Sequence, residues 1–166
     1  MAETKPLVGV VMGSASDLEQ VQGCLDALKE LAVPYEVTVA SAHRTPDRAS
    51  EYAKTAAERG LKVIIAAAGW AAHLPGVLAA YTTLPIIGLP LGGSPLGGKD
   101  ALYAMVQMPP GIPVATVGIN TGRNAGILAA QILALSDEAL AERLVGMRQK
   151  MAAKVIAAAE KLGAGE

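Results

Sequence analysis

Short apolar runs alternate along this chain with longer stretches in which apolar positions recur every three or four residues. Residues 7–12, 35–40, 62–67, 86–89 and 114–117 read as five strands. The first helix is expected to open at a capping box, Ser16-Asp17-Leu18-Glu19, and to bury Leu18, Val21, Leu25 and Leu28. The second starts with Thr45 as N-cap and Pro46 in its first turn, and Gly60 closes it. A short helix follows Pro75, others cover about 100–107 and about 124–135, and the last opens at Ser136-Asp137-Glu138. That last helix carries Leu140, Leu144, Met147, Met151 and Val155 on one stripe and ends by Gly163. Strands two, three and four are mostly continuous apolar runs, as expected of strands covered on both faces. The pattern predicts an α/β protein: a three-layer α/β/α sandwich around a five-stranded parallel sheet of flavodoxin-like order, one domain over 1–166. The C-terminal helix is surplus to that fold.

Composition changes the picture in one respect. Hydrophobic residues make up 52% of the chain, aromatics only 3%, and Phe is absent, so the core must be built from Val, Ile, Leu and Ala. That is more apolar side chain than a domain of this size hides alone, which predicts a homo-oligomer with the final stripe as a subunit contact. A net charge of −1 with scattered Lys and Arg gives no basic stripe for nucleic acid. The apolar runs are too short to span a bilayer. Residues 1–6 show no leader and Cys24 is the lone cysteine, so the expected compartment is the cytoplasm.

The two histidines, the side chains whose ordinary titration falls near neutral pH, both sit in strand-to-helix loops. His43 lies in Ser41-Ala42-His43-Arg44-Thr45-Pro46-Asp47, and His73 in Ala71-Ala72-His73-Leu74-Pro75-Gly76. Such loops gather at the carboxyl edge of a parallel sheet, where ligands bind. Gly13-Ser14-Ala15-Ser16-Asp17 follows the first strand; it suits an anion at its amides and a ribose diol at Asp17, or is a plain capped helix start. Arg44 stands at the unfavourable end of a helix dipole, relieved either by an anionic ligand or internally by Asp47. His73 either caps the next helix or faces a ligand.

The segment 93–100 matches phosphate-loop spacing, yet Asp100 stands where Ser or Thr should hold magnesium, which argues against triphosphate hydrolysis. One cysteine and two histidines without clustered acids predict no metal site. A flavodoxin-like nucleotide-binding module is the alternative from another class. Trp70 is its only loop aromatic for sandwiching a flavin.

With these loops in view the chain resembles the 5-(carboxyamino)imidazole ribonucleotide mutases, the bacterial PurE family. The resemblance rests on Val11-Met12-Gly13-Ser14-Ala15-Ser16-Asp17, the Ser-Ala-His-Arg-Thr-Pro and Ala-Ala-His-Leu-Pro-Gly loops, Val106-Gln107-Met108-Pro109, and residues 124–130. It implies an enzyme of purine biosynthesis that moves a carboxylate from the exocyclic nitrogen to carbon 4 of an imidazole ribonucleotide. It also implies no metal or organic cofactor, and an octamer with sites at subunit junctions. On matching positions Ser14, Asp17 and Arg44 bind the ribotide, with Ser16 and Ser41 near its phosphate. His43 is the general acid–base group and His73 lines the carboxylate pocket. The nearest rival is an aminoimidazole ribonucleotide carboxylase using free carbon dioxide. Two departures stand out: the family usually has Gly where this chain has Ala67 and Trp70. The indole either narrows the pocket or turns towards a neighbouring subunit.

Overall fold

The computed structural model describes residues 5–163; the first four residues of the segment read above as lacking a leader lie outside it. Five strands form one parallel sheet: β1 (Val8–Met12), β2 (Tyr35–Val39), β3 (Val63–Gly69), β4 (Ile86–Leu91) and β5 (Ala115–Thr116). Their spatial order is β2-β1-β3-β4-β5, the flavodoxin-like arrangement. Six α-helices cover the sheet: α1 (Leu18–Glu30), α2 (Pro46–Ala56), α3 (Leu74–Tyr81), α4 (Lys99–Val106), α5 (Gly122–Ala134) and α6 (Glu138–Gly163).

The sheet divides the core in two because side chains alternate along each strand. Val8, Val10 and Met12 of β1, and Val63, Ile65 and Ala67 of β3, share one cluster with α1, α5 and the first half of α6. Val11, Ile64, Ala66 and Ala68 point the other way, into a cluster with α2, α3 and α4. Strands β1, β3 and β4 are apolar throughout because both faces are covered.

β2 departs from that expectation. It is an edge strand, its residues are only partly buried, and Val37 is exposed. Its inner polar position, Glu36, accepts hydrogen bonds from Tyr52 and Arg59 rather than packing against carbon.

α1 and α5 lie unusually close. A Cβ on Gly126 would stand 2.7 Å from the Cys24 carbonyl oxygen, and one on Gly122 3.2 Å from the Cys24 nitrogen. Only hydrogen fits there. Cys24 is fully buried in this contact, and burial pushes its thiol up to about 12. It is packing material rather than a nucleophile.

Two further expectations change. The capping box lies two residues early. Ser14 Oγ accepts the Ser16 N–H while Asp17 Oδ2 accepts the Ser14 N–H, closing a 3₁₀ turn over Ala15–Asp17. Ser16 loses the role because its hydroxyl is already shared with that of Ser14, 2.8 Å away. On α6 the stripe splits: Leu140, Leu144 and Met147 are buried against the chain's own core, whereas Met151 and Val155 are exposed. From Arg148 onward every described residue of this helix is exposed. With 26 residues α6 is about 39 Å long, so more than half of it projects beyond the body. None of the described helices is long and apolar enough to cross a membrane.

Candidate active site

The chain reverses direction between β1 and β3. After β1 it winds to β2 on one side, then returns to β3 on the other. The loops leaving β1, β2 and β3 therefore diverge around a crevice at the carboxyl edge, the place where such sheets bind ligands. A cleft of about 590 Å³ opens there, within the range of small-molecule sites. It brings together Ser14, Ser16, Asp17, Ser41, His43 and Arg44. A larger depression of about 910 Å³ lies at the opposite edge, but Lys54 is its only charged lining group. Convergent polar chemistry, not volume, singles out the first.

The loop after β2 is braced from within. The Ser41 N–H donates to Thr45 Oγ1 at 2.9 Å, and that hydroxyl donates back to the Ser41 carbonyl at 3.1 Å. Thr45 thus occupies the N-cap position of α2 without making a cap bond, a correction to the expected role. The brace presents His43 and Arg44 outward. The Arg44 guanidinium donates to the Gly13 carbonyl at 3.1 Å, bridging two loops. Asp47 does not neutralise it: among the described residues the ion pairs are Arg59–Glu36 and Arg123–Glu30, both away from the cleft. Arg44 therefore makes no ion pair of its own: Asp17 acts on it through space, Asp47 lies in the first turn of α2, and the Arg44 guanidinium keeps hydrogen-bonding capacity to spare.

His73 also resolves. It sits at the N-cap of α3 but makes no cap bond there. Instead its Nδ1 lies 2.8 Å from His43 Nε2, with the ring planes at 78°. The two residues are 30 positions apart, on loops that flank the end of β1. In such a pair one ring nitrogen donates and the other accepts, so the pair holds one shared proton at that contact. His43 Nδ1 and His73 Nε2 remain for other partners. Of the two, His43 lines the cleft; His73 stands behind it, outside the lining, and touches it through this one contact.

Asp17 is the third element. Desolvation raises its carboxyl above the ordinary value, opposed by the Ser14 N–H and by the positive charge of Arg44. A part-buried carboxylate, a guanidinium, three serines and His43 thus face one cleft, groups able to meet an anionic and a hydroxylic end of a ligand.

Across from these groups the wall is apolar: Ala68, Gly69, Trp70, Ala71, Leu74 and Leu91. Trp70 is part of the cleft lining and adopts φ +54°, the left-handed region. For a bulky side chain that is an outlier costing roughly 1–3 kcal/mol. The loop after β4 completes the rim with Gly93. The phosphate-loop likeness there dissolves. Ser94 Oγ donates to Asp100 at 2.7 Å and accepts from the Leu96 and Gly98 amides, so the amides are spent internally. Asn120, unremarked in the sequence, holds this loop by accepting the Gly92 N–H at 2.8 Å. Its own φ is +57°, a conformation that Asn tolerates; the signal in the sequence was only an Asn within a loop.

Residues 7–154 match the family model described as AIR carboxylase. The chain belongs to that family. A protein of Synechocystis sp. named N5-carboxyaminoimidazole ribonucleotide mutase is 52% identical over 166 residues, covering 98% of this chain and 94% of its own. A Bacillus subtilis protein of the same name is 54% identical over 160 residues, with 95% and 99% covered. A Schizosaccharomyces pombe protein named phosphoribosylaminoimidazole carboxylase is 54% identical over 157 residues, but this chain spans only 28% of it. Among solved structures, Treponema denticola PurE superposes with a TM-score of 0.85 at 30% identity, covering 95% of this chain and 98% of that one.

Proposed function

We propose that this family member is an N5-carboxyaminoimidazole ribonucleotide mutase of de novo purine biosynthesis, acting in the cytoplasm as one catalytic domain. The observation that carries the reading is one cleft that holds His43, in contact with His73 behind it, beside Arg44 and a part-buried Asp17. Ser14, Asp17 and Arg44 bind the ribotide, Asp17 accepting from ribose hydroxyls, while Ser16 and Ser41 lie near the phosphate. His43 protonates the exocyclic nitrogen as its bond to the carboxylate breaks, and carbon dioxide is released into the cleft. Carbon 4 of the imidazole then attacks that carbon dioxide, and the carbon 4 proton returns to His43. No proton or carbon is gained or lost over the cycle. His73 keeps the His43 ring in register. Retaining carbon dioxide beside the ring makes recapture effectively unimolecular, worth several kcal/mol of barrier.

The cleft of a single chain is open, with His43, Arg44, Trp70 and His73 exposed. The outer half of α6 is equally uncovered. A homo-octamer whose subunit junctions close the cleft accounts for both. Static light scattering should return about eight times the 16.9 kDa of one chain. Removing residues 150–166, which spares the buried Leu140, Leu144 and Met147, should give smaller species. A parent that stays monomeric at micromolar concentration refutes the assembly.

The name of the Schizosaccharomyces pombe relative favours a second reading, direct carboxylation of aminoimidazole ribonucleotide. One assay separates the two: turnover of the carboxyamino ribotide against turnover of the free aminoimidazole ribotide with bicarbonate. The first should be faster at matched concentrations. His43→Asn should bind the ribotide but lose at least about two orders of magnitude in kcat. Turnover of that variant within tenfold of the parent removes His43 from the mechanism.

A further inference from the structure

The cleft has a polar half and an apolar half, and the apolar half has one large aromatic. Trp70 is the only tryptophan in the chain, it lines the cleft, and 60% of its surface is open. Its neighbours on that wall, Ala68, Gly69 and Ala71, are small, so the indole stands clear of other side chains on its own loop. Its backbone holds the left-handed conformation that glycine adopts freely and a bulky residue rarely does. The carbonyl of Trp70 accepts the Ala72 N–H at 2.9 Å, and the next amide, His73, donates to the Ala71 carbonyl at 2.8 Å. These bonds fix the loop that delivers His73 to His43, whatever side chain stands at 70. A strained bulky residue exposed to solvent gains little from packing within its own chain, and its place on the cleft lining points to what binds there.

Resting on the ribotide reading above, we infer that Trp70 is a specificity-determining residue. Its indole covers the face of the ligand's planar ring while the opposite half of the cleft holds the ribose phosphate. Aromatic stacking on a heterocycle suits this geometry, because every such ring offers a π-face and the small neighbouring residues let it approach. The indole then selects ligands with a planar heterocycle over bare sugar phosphates, and helps to keep water from the reacting carbon.

The fluorescence of this single tryptophan reports directly. Titration with aminoimidazole ribonucleotide should quench or shift the emission, whereas ribose 5-phosphate at saturation should leave it nearly unchanged. Trp70→Gly should fold at least as stably as the parent and raise KM for the ribotide about tenfold, a larger change than its fall in kcat, the loss expected of one stack. Trp70→Phe should recover most of the KM. Emission that ignores bound ribotide, responds equally to ribose 5-phosphate, or accompanies an unchanged KM in Trp70→Gly overturns the inference. The two readings fail separately. Mutase turnover with a silent tryptophan removes only the stack, and quenching without mutase turnover removes only the assigned reaction.

Discussion

Replacing Gly126 by Ala tests the link between packing and site most directly. The added methyl would lie 2.7 Å from the Cys24 carbonyl oxygen and 3.0 Å from Ala27 Cβ, against an ordinary contact of 3.4–4 Å. Helices α1 and α5 must part by about 0.7 Å to admit it. The first obstacle is backbone inside a helix, which cannot rotate away, so the overpacking cost falls in the upper part of the usual ~1–3 kcal/mol range. Alanine's better helix propensity offsets about 1 kcal/mol. The net loss is about 1–2 kcal/mol, or a fall in Tm of roughly 2–8 °C for a chain of this length. Gly146→Ala is the control: it sits inside α6 with nothing within 4 Å of the new methyl, so it should melt roughly 2–4 °C higher. Because α1 grows out of the Ser14–Asp17 turn and carries Gln20 on the cleft rim, Gly126→Ala should also raise ribotide KM. Thermal melts of the two variants beside the parent decide the matter. A Gly126→Ala chain that melts at or above the parent refutes the claim that hydrogen is required at this crossing.

Two more outcomes follow from the cleft. Arg44→Leu should raise KM about ten- to a hundredfold for the ribotide, since a charge-assisted hydrogen bond contributes roughly 1.5–3 kcal/mol, and a phosphate-free nucleoside should be insensitive; equal losses for both ligands would make Arg44 a brace only. Asp17 carries a raised carboxyl, so the folded chain binds that proton more tightly than the unfolded chain. Stability therefore falls as pH rises from the unfolded value through the folded one, and the penalty is fully present at neutrality. Asp17→Asn, which keeps an acceptor for the Ser14 N–H, should raise Tm at pH 7, leave it unchanged below about pH 3, and lose ribotide affinity; a Tm difference equal at both pH values contradicts the assignment.

The order of strands and helices was legible because each element has one period and the loops between them are short. The edge position of β2 follows from the flavodoxin-like order; its partial burial was not legible, although its Glu36 and Thr38 alternate with apolar residues in a way the buried β3 and β4 do not. A continuous-run reading passed over that alternation. The capping box was misplaced because two serines two residues apart compete for one turn, and the sequence does not say which hydroxyl is already engaged. The fate of the α6 stripe depends on where the body of the protein ends, a tertiary property: Met147 is covered and Met151, one turn on, is exposed. The candidate site was legible loop by loop, since strand-to-helix loops converge in a parallel sheet. The bond between His43 and His73 was not, because it needs β2 and β3 to flank β1, some 10 Å apart, with both rings reaching over its end.

Where local choices conflict with the fold, they gather at this cleft. Asp17 is a carboxylate held against desolvation, Arg44 a cation at the positive end of a helix, and Trp70 a bulky residue in left-handed backbone. The other non-glycine residues with positive φ are small or polar: Ala32 lies just past the end of α1, and Asn120 pins the β4 loop. Elsewhere pattern and packing agree, with Val, Ile and Leu buried on both sheet faces and small residues where helices cross. Three unfavourable terms within one crevice are ones that a single ligand can offset. An anion cancels the Arg44 conflict, ribose hydroxyls stabilise the Asp17 charge, and a planar ring gives the indole a partner. A ligand with an anionic group, a diol and a flat heterocycle meets all three, and an imidazole ribonucleotide carries each of them.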